Sequence, residues 1–488
     1  MRWGGNSRSR SLSRLQVPTA LAAGLGVALA TLSTQAWGDI LRFTPTLFLE
    51  QIFTDNIRGS STDQDADGVT SLGARLDATL DGTRVEAAMS ASVYYNEFWA
   101  TDEFDNFNGE GIAAGRVTLL HNRLFLDGQV SRQEVFLSPD STSASNLSPG
   151  GSRSKETNYS VGPLLTLNVF DIADLVARAT YSQILFSEPV TGPLLVPIED
   201  LTAKQAAGRV TTGDRSSLYE AIGTAEYLET DADFRLRNIV GHLIVHLTDR
   251  IDVIGRYGYE RIEDPSFPTI KGQRWSFGGR YSFADNSAIR VEYGNRFNDT
   301  SWLGEVSVQL TSRVNIAGQY TDSIAPAQLS LVRPLDDLFD DAGSVDLGTT
   351  PTQLVPNPAL IGQVVRDKNF NFSADYRIGL ATYSLIGRHA DRQIPGLGLS
   401  DKIYSVDLEW KETLSRSLTA TASVGFFDNY SPNLGSQEVQ QYRAQAGFTY
   451  LFTPQVTFTG SYLWGLNVRE NNDDSQENVV RLGIARSF

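Results

Sequence analysis

The segment His242-Leu-Ile-Val-His246 sets two imidazoles four residues apart, a spacing that on a helix could grip one metal ion. Its neighbours alternate between apolar and polar, which makes the segment a strand. Four residues of strand span about 13 Å, so both rings share a face yet cannot share an ion. No third ligand follows. His121 lies at a turn signal and His389 near a strand end, neither beside a plausible catalytic partner. No Ser/His/Asp or Asp/His spacing marks a nucleophile and its base, so no enzyme is expected. Asp63-Gln64-Asp65-Ala66-Asp67-Gly68 is sharper: Asp63, Asp65 and Asp67 followed by glycine form the first half of a calcium loop. The twelfth position is Ala74 where a bidentate Glu would stand, and no helices flank the segment. It reads either as a solvated acidic loop tip or as a weak calcium site suited to extracellular calcium. No other cofactor is expected.

The composition limits what could position these residues. Residues 1–38 carry Arg2, Arg8, Arg10 and Arg14, no acid, an apolar stretch broken by Pro18, Gly24 and Gly26, and a small-x-small ending at Ala36-Trp37-Gly38. This is the pattern of a cleaved signal peptide, with Asp39 as the first mature residue. The 488 residues contain no cysteine, so neither a lipidated leader nor a disulfide framework is available to an exported chain. The net charge of −16 becomes more negative once the leader's arginines are gone, and such a chain repels nucleic acid. No second stretch approaches a helical membrane span. A mean hydropathy of −0.21 suits a soluble protein, but equally a transmembrane barrel whose apolar face occupies every second residue.

Periodicity separates the two. In Arg250–Arg261, Ile251, Val253, Gly255, Tyr257 and Tyr259 oppose Asp252, Ile254, Arg256, Gly258 and Glu260. Trp275, Phe277, Tyr281 and Phe283 oppose Arg274, Ser276, Arg280 and Ser282. Ile289, Val291, Tyr293 and Phe297 then oppose Arg290, Glu292, Gly294 and Arg296. The alternation recurs at 83–96, 442–452 and 456–466. Runs of about 10–14 residues exceed ordinary strands and match the length a tilted strand needs to cross a bilayer. A soluble sandwich would need neither this length nor charge along one whole face. The expected fold is therefore an all-β, antiparallel, up-and-down transmembrane β-barrel over 39–488.

Tight turns at 81–82, 121–122, 170–174, 248–250, 284–286, 311–313, 414–416 and 453–454 alternate with longer polar links. These links are 54–69, 97–109, 136–155, 187–200, 263–271, 322–366, 392–400, 429–437 and 469–475. Short turns belong to the periplasmic rim and long loops to the exterior, and an even strand number follows: about 22, or 20 if 203–210 does not pair. Arg256, Arg274, Arg280, Arg290, Glu292 and Arg296 then line the pore. The longest link carries Asp336, Asp337, Asp340 and Asp341 and is expected to narrow it. Acidic loop and basic wall either set up a transverse field or the arginines pair locally with lumenal acids.

The last strand, Val479-Val-Arg-Leu-Gly-Ile-Ala-Arg-Ser-Phe488, ends on an aromatic. Phe488 resembles the C-terminal signal read by barrel-assembly machinery, with Arg486 in place of a commoner aromatic. The opening "FTPTL" strand running into Thr54-Asp55-Asn56, the "RYGYE" strand at 256–260 and "WSFGGRYSF" resemble a β-barrel porin family with a TDN opening. More narrowly, they resemble outer-membrane barrels associated with exosortase/PEP-CTERM and exopolysaccharide systems. The resemblance implies an integral outer-membrane protein among lipid and lipopolysaccharide, partnered by a periplasmic polysaccharide-export protein. With the first strand so near the leader, no plug domain is expected. Two functions stand: a channel for hydrophilic solutes or exopolysaccharide, or a non-conducting structural or adhesive barrel whose loops bind surface polymer or calcium.

Overall fold

The computed structural model describes residues 40–62, 64–136, 147, 153–170, 172–187, 199–213, 218–284, 286–331, 335, 364–396, 398–430, 438–469 and 472–488. The leader, Asp63 and the four aspartates of the long link lie outside these residues. The strands are β1 (Ile40–Thr54), β2 (Asp67–Asp81), β3 (Val85–Phe98), β4 (Asn106–Leu120), β5 (Leu124–Phe136), β6 (Arg153–Val169) and β7 (Ala173–Phe186). Then follow β8 (Leu201–Thr212), β9 (Tyr219–Thr230), β10 (Arg235–Thr248), β11 (Ile251–Asp264), β12 (Phe267–Ala284), β13 (Ser287–Arg296), β14 (Asp299–Thr311) and β15 (Val314–Pro326). The rest are β16 (Val364–Ile378), β17 (Ala381–Ile394), β18 (Leu399–Thr413), β19 (Leu418–Tyr430), β20 (Val439–Thr453), β21 (Val456–Arg469) and β22 (Asn472–Ser487).

Each strand pairs antiparallel with the next, and β22 returns to β1 through Thr46↔Ser487 to Thr54↔Val479, closing a 22-stranded barrel. The stretch 201–229 supplies β8 and β9, with 203–210 inside β8, so the higher of the two expected counts holds. Closure leaves no edge strand along the wall, whose donors and acceptors hydrocarbon would otherwise leave orphaned. The alternation partitions as expected. Phe277 and Tyr257 are 63% and 61% exposed on the outer face, whereas Glu292 inside is 1% exposed. Trp275, Tyr293 and Trp302 form an aromatic run on that outer face, with centroids 6.4 and 4.7 Å apart.

The two rims differ. The rim holding both ends of the barrel sheet carries the tight turns: the expected ones fall there, and β16 meets β17 in one at Gly379-Leu380 that the sequence reading does not include. The opposite rim, here the loop rim, is less regular than expected. The links expected at 263–271 and 469–475 are shorter than that: β11 joins β12 through Pro265 and Ser266, and the β21–β22 ladder runs up to the pair Arg469↔Asn472. Apolar alternation reports contact with lipid, not backbone pairing. Strands that rise beyond the membrane keep their hydrogen bonds while turning polar, so Glu263 and Lys271 read as loop and fold as ladder.

The chain end is anchored as well as aromatic. The Phe488 amide donates to the Pro45 carbonyl at 2.9 Å, Thr46 and Ser487 hydroxyls bond at 2.9 Å, and the Arg486 guanidinium lies 4.8 Å from the Phe488 ring. A cation over an aromatic face near an interface lets Arg486 share the outer face with Ile484 and Leu482.

Two glycines let the wall bend. A Cβ on Gly278 would stand 2.0 Å from the Val291 carbonyl oxygen, and one on Gly294 would stand 1.9 Å from that of Trp275. Gly294→Val is expected to abolish the folded species on a heat-shift gel. Gly208→Ala, where an added methyl meets nothing within 4 Å, is expected to fold as wild type.

Candidate functional site

The inner wall of β11–β13 gathers the six residues expected to line a pore. Arg256 on β11 reaches past β12 to Glu292 on β13 with Nε 3.0 Å from Oε2. Arg290 meets the other oxygen at 2.7 Å, and the Ser276 hydroxyl donates to Oε2 at 2.7 Å. Gly278, directly opposite Glu292 in the ladder, leaves the gap through which Arg256 crosses. Glu292 is therefore enclosed by donors, and removing either cation would leave a buried charge without its partner. Arg280 opposes Arg290 and Asp252 in register, but the Asp252 carboxylate holds His246 Nδ1 at 2.7 Å. Arg274 and Arg280 have no carboxylate within ion-pair distance among the described residues. So local pairing takes Arg256, Arg290 and, at 3.7 Å from Glu260, Arg296, while Arg274 and Arg280 make no ion pair among the described residues.

One residue departs from its expected face. Phe297 continues the outward series Ile289, Val291 and Tyr293, yet it is buried inside the loop rim. Beyond the last ladder pair, Arg296↔Asp299, Phe297 and Asn298 take φ of 57° and 60°, the paired left-handed conformation of a type I′ hairpin turn. A bulky residue there is strained, so its surroundings must compensate. They do. The Phe297 amide donates to the Glu260 carboxylate two strands away, and Arg296 and Arg366 lie 4.4 and 5.5 Å from its ring. The tip of the β13–β14 hairpin thus leans into the lumen, and the β14–β15 ladder stops at Gly304↔Tyr320.

Charge fills the gap that this leaves. Arg366 at the start of β16 binds Asp322 through Nε and Nη2 at 3.0 and 2.8 Å and Asp299 through Nη1 at 2.9 Å. Arg296 donates to the Asp322 carbonyl, and Ser301 to its carboxylate at 3.0 Å. This cluster clamps both ends of the 327–363 link, whose aspartates lie outside the described residues. Behind it, Phe234, Ile262, Phe267, Phe297 and Ile324 form an apolar cluster inside the loop rim. The β17–β18 turn joins it, since a Cβ on Gly396 would stand 2.9 Å from Phe267 Cβ. A second cluster gathers Ile52, Ile57, Val69, Phe98 and Val479. Rim elements well separated along the wall therefore meet above the lumen.

Asp65 and Asp67 of the first loop are already engaged within the protein. Asp65 pairs with Arg58 at 2.8 Å, and Asp67 accepts from the amides of Gly68, Ala100 and Thr101 at 2.7, 2.9 and 3.1 Å. Bonds from Asp65 and Glu103 hold the Arg58 guanidinium above its ordinary pKa. His242 faces the lumen beside Arg256, and His389 stacks on Tyr404 at 4.5 Å.

Other lumenal pairs escape the reading of the sequence. Asp127 lies between Arg116 and Arg178 at 2.7 and 2.9 Å, Arg392 binds Asp401 at 2.9 Å, and Arg443 stands 3.6 Å from Asp407. Arg116 and Asp127 are equidistant from their turn, as are Arg392 and Asp401, a symmetry visible in the sequence. Arg366→Ala, which strands the buried Asp322 carboxylate, is expected to cost about 3–5 kcal/mol of stability, with partial recovery in Arg366→Ala/Asp322→Asn. Urea unfolding in lipid vesicles measures both.

No protein-family model matches the chain, and no curated protein is similar to it. Among solved structures, the siderophore receptor PirA of Acinetobacter baumannii superposes with a TM-score of 0.50 at 10% identity, over 92% of this chain and 80% of that one. The ferric enterobactin receptor PfeA of Pseudomonas aeruginosa gives 0.46 at 10% identity, over 92% and 80%. OprD of Pseudomonas aeruginosa gives 0.36 at 11% identity, over 91% and 95%. What the chain shares with PirA is its fold: the closed antiparallel β-barrel of outer-membrane proteins.

Proposed function

We propose that the protein is an outer-membrane channel for hydrophilic solutes, with the tight-turn rim in the periplasm and the loop rim outside. The carrying observation is the lumenal charge of β11–β13: five arginines against Asp252, Glu260 and Glu292, on the inner face of a closed wall whose outer face is apolar. Charged groups on a pore wall attract and order polar solutes, and an excess of cations favours anionic or hydrogen-bond-accepting ones. The restriction rests on the inward β13–β14 tip and the apolar clusters at the outer rim. The acidic 322–366 link, whose Asp336, Asp337, Asp340 and Asp341 lie outside the described residues, is proposed to add to it. Exopolysaccharide leaving an exosortase-associated system is the cargo that the TDN-type opening suggests, delivered by a periplasmic export protein. In this reading the leader is cleaved, the barrel is assembled through Phe488, and the protein is not an enzyme.

A second reading is favoured by the same clusters. If rim elements that meet at Phe267 and Gly396 seal the lumen, the barrel is a non-conducting anchor whose loops bind surface polymer. Calcium binding at Asp63, Asp65 and Asp67 would then have to displace Arg58 from Asp65.

Planar-bilayer recording separates the two. A channel is expected to give steady conductance with mild anion preference, reversed towards cations by Arg274→Glu/Arg280→Glu. Phe297→Gly, which removes the inward ring and relieves the turn, is expected to raise conductance several-fold. Silence in wild type and in Phe297→Gly alike would leave the anchor standing. Deletion of 336–346 tests whether the link contributes to the restriction.

A further inference from the structure

On the outer face near the loop rim, the register sets three cations side by side. Arg237 on β10 opposes Arg261 on β11, which opposes Lys271 on β12. Like charges directly opposed in a sheet repel, and no fold needs three in a row. Local acids offset only part of this. Arg261 pairs with Glu263, and in the next row outward Arg235 binds Glu229 at 3.0 Å. Arg237 and Lys271 meet no carboxylate among the described residues; the Arg237 guanidinium lies 5.8 Å over Tyr227. The row faces the membrane's polar boundary rather than the lumen, since Ile239 and Tyr259, the next residues inward on the same face, are 68% and 49% exposed.

Below the row the wall is hollow. Gly223, Gly241 and Gly255 on β9, β10 and β11 leave a groove of about 600 Å³ between Val210, Leu243 and Tyr257. Gly241 is four residues from Arg237, about 13 Å along the strand, the distance from a lipid headgroup into its acyl region. Cations at headgroup depth above an apolar trough match one class of molecule: an amphiphile with phosphate at its head and acyl chains beneath.

We infer that the outer face of β9–β12 is a binding site for a phosphorylated membrane lipid, its phosphate on Arg237, Arg261 and Lys271 and a chain in the glycine groove. The phosphate neutralises the repelling row through charge-assisted bonds, and the chain fills space that bulk lipid packs poorly. The site stands apart from the lumen, so its test does not depend on conduction.

Full-length protein in phosphatidylcholine nanodiscs containing a minor fraction of lipid A is released into mild detergent and its retained lipid is counted by native mass spectrometry. Wild type is expected to keep lipid A in preference to phosphatidylcholine, less so as salt rises. Arg237→Glu/Lys271→Glu is expected to lower lipid A retention about tenfold. Gly241→Leu is expected to lower it as well, and the site tolerates the added side chain because a Cβ there meets only the Tyr257 carbonyl oxygen at 3.8 Å. Should the charge-reversed protein lose its heat-shifted band, Arg237→Gln/Lys271→Gln replaces it with the same expected direction. Retention unchanged by these substitutions, equal retention of phosphatidylcholine, or a dimer that covers this face in place of lipid would each overturn the inference.

Discussion

Backbone hydrogen bonds that hydrocarbon cannot replace are what the molecule is built around. Each strand spends its amides and carbonyls on two neighbours, and only the junction of β22 with β1 leaves no edge facing lipid. Everything else answers to that closure. Alternation gives each strand an apolar side for the membrane and a free side for the lumen. Glycines appear where the wall bends too sharply for a Cβ. The strand count is even because both chain ends must meet on one rim.

The lumen shows how such a wall carries charge. Its carboxylates are not scattered: Glu292, Asp127 and Asp322 each sit among two or more donors, most of them guanidinium groups from other strands. Pairs of this kind contribute little net stability, because desolvation offsets most of the attraction, but removing one partner is costly. They therefore fix geometry. Around Glu292 they brace three strands; around Asp322 they tie the root of the long link to the place where β14 and β15 part. Arg274 and Arg280, left without acids, are the residues on this wall with charge to spare for a solute.

How much of this could be read from the sequence depends on whether one residue's neighbours are local. The alternation of Ile251 through Tyr259 fixes the outer face of β11 because lipid contact repeats every second residue, and the lumenal side of Arg256 follows. Arg116 with Asp127 was legible in principle, being symmetric about a turn. Asp322 with Arg366 was not: they stand 44 positions apart, and the chain between them carries no register. Phe297 was misread for a related reason. It obeys the alternation of β13 but stands one residue past the ladder, where the turn, rather than the pleat, decides which way a side chain points. The inward tip that results has no signature in hydrophobic pattern at all.

The bond between Thr46 and Ser487 joins residues 441 positions apart. A ribosome must therefore finish the polypeptide before the cylinder can be sealed, and until then the first and last strands are raw margins able to pair with any similar chain. Sealing of the cylinder is therefore a late step, even though each hairpin between the two margins joins strands adjacent in sequence.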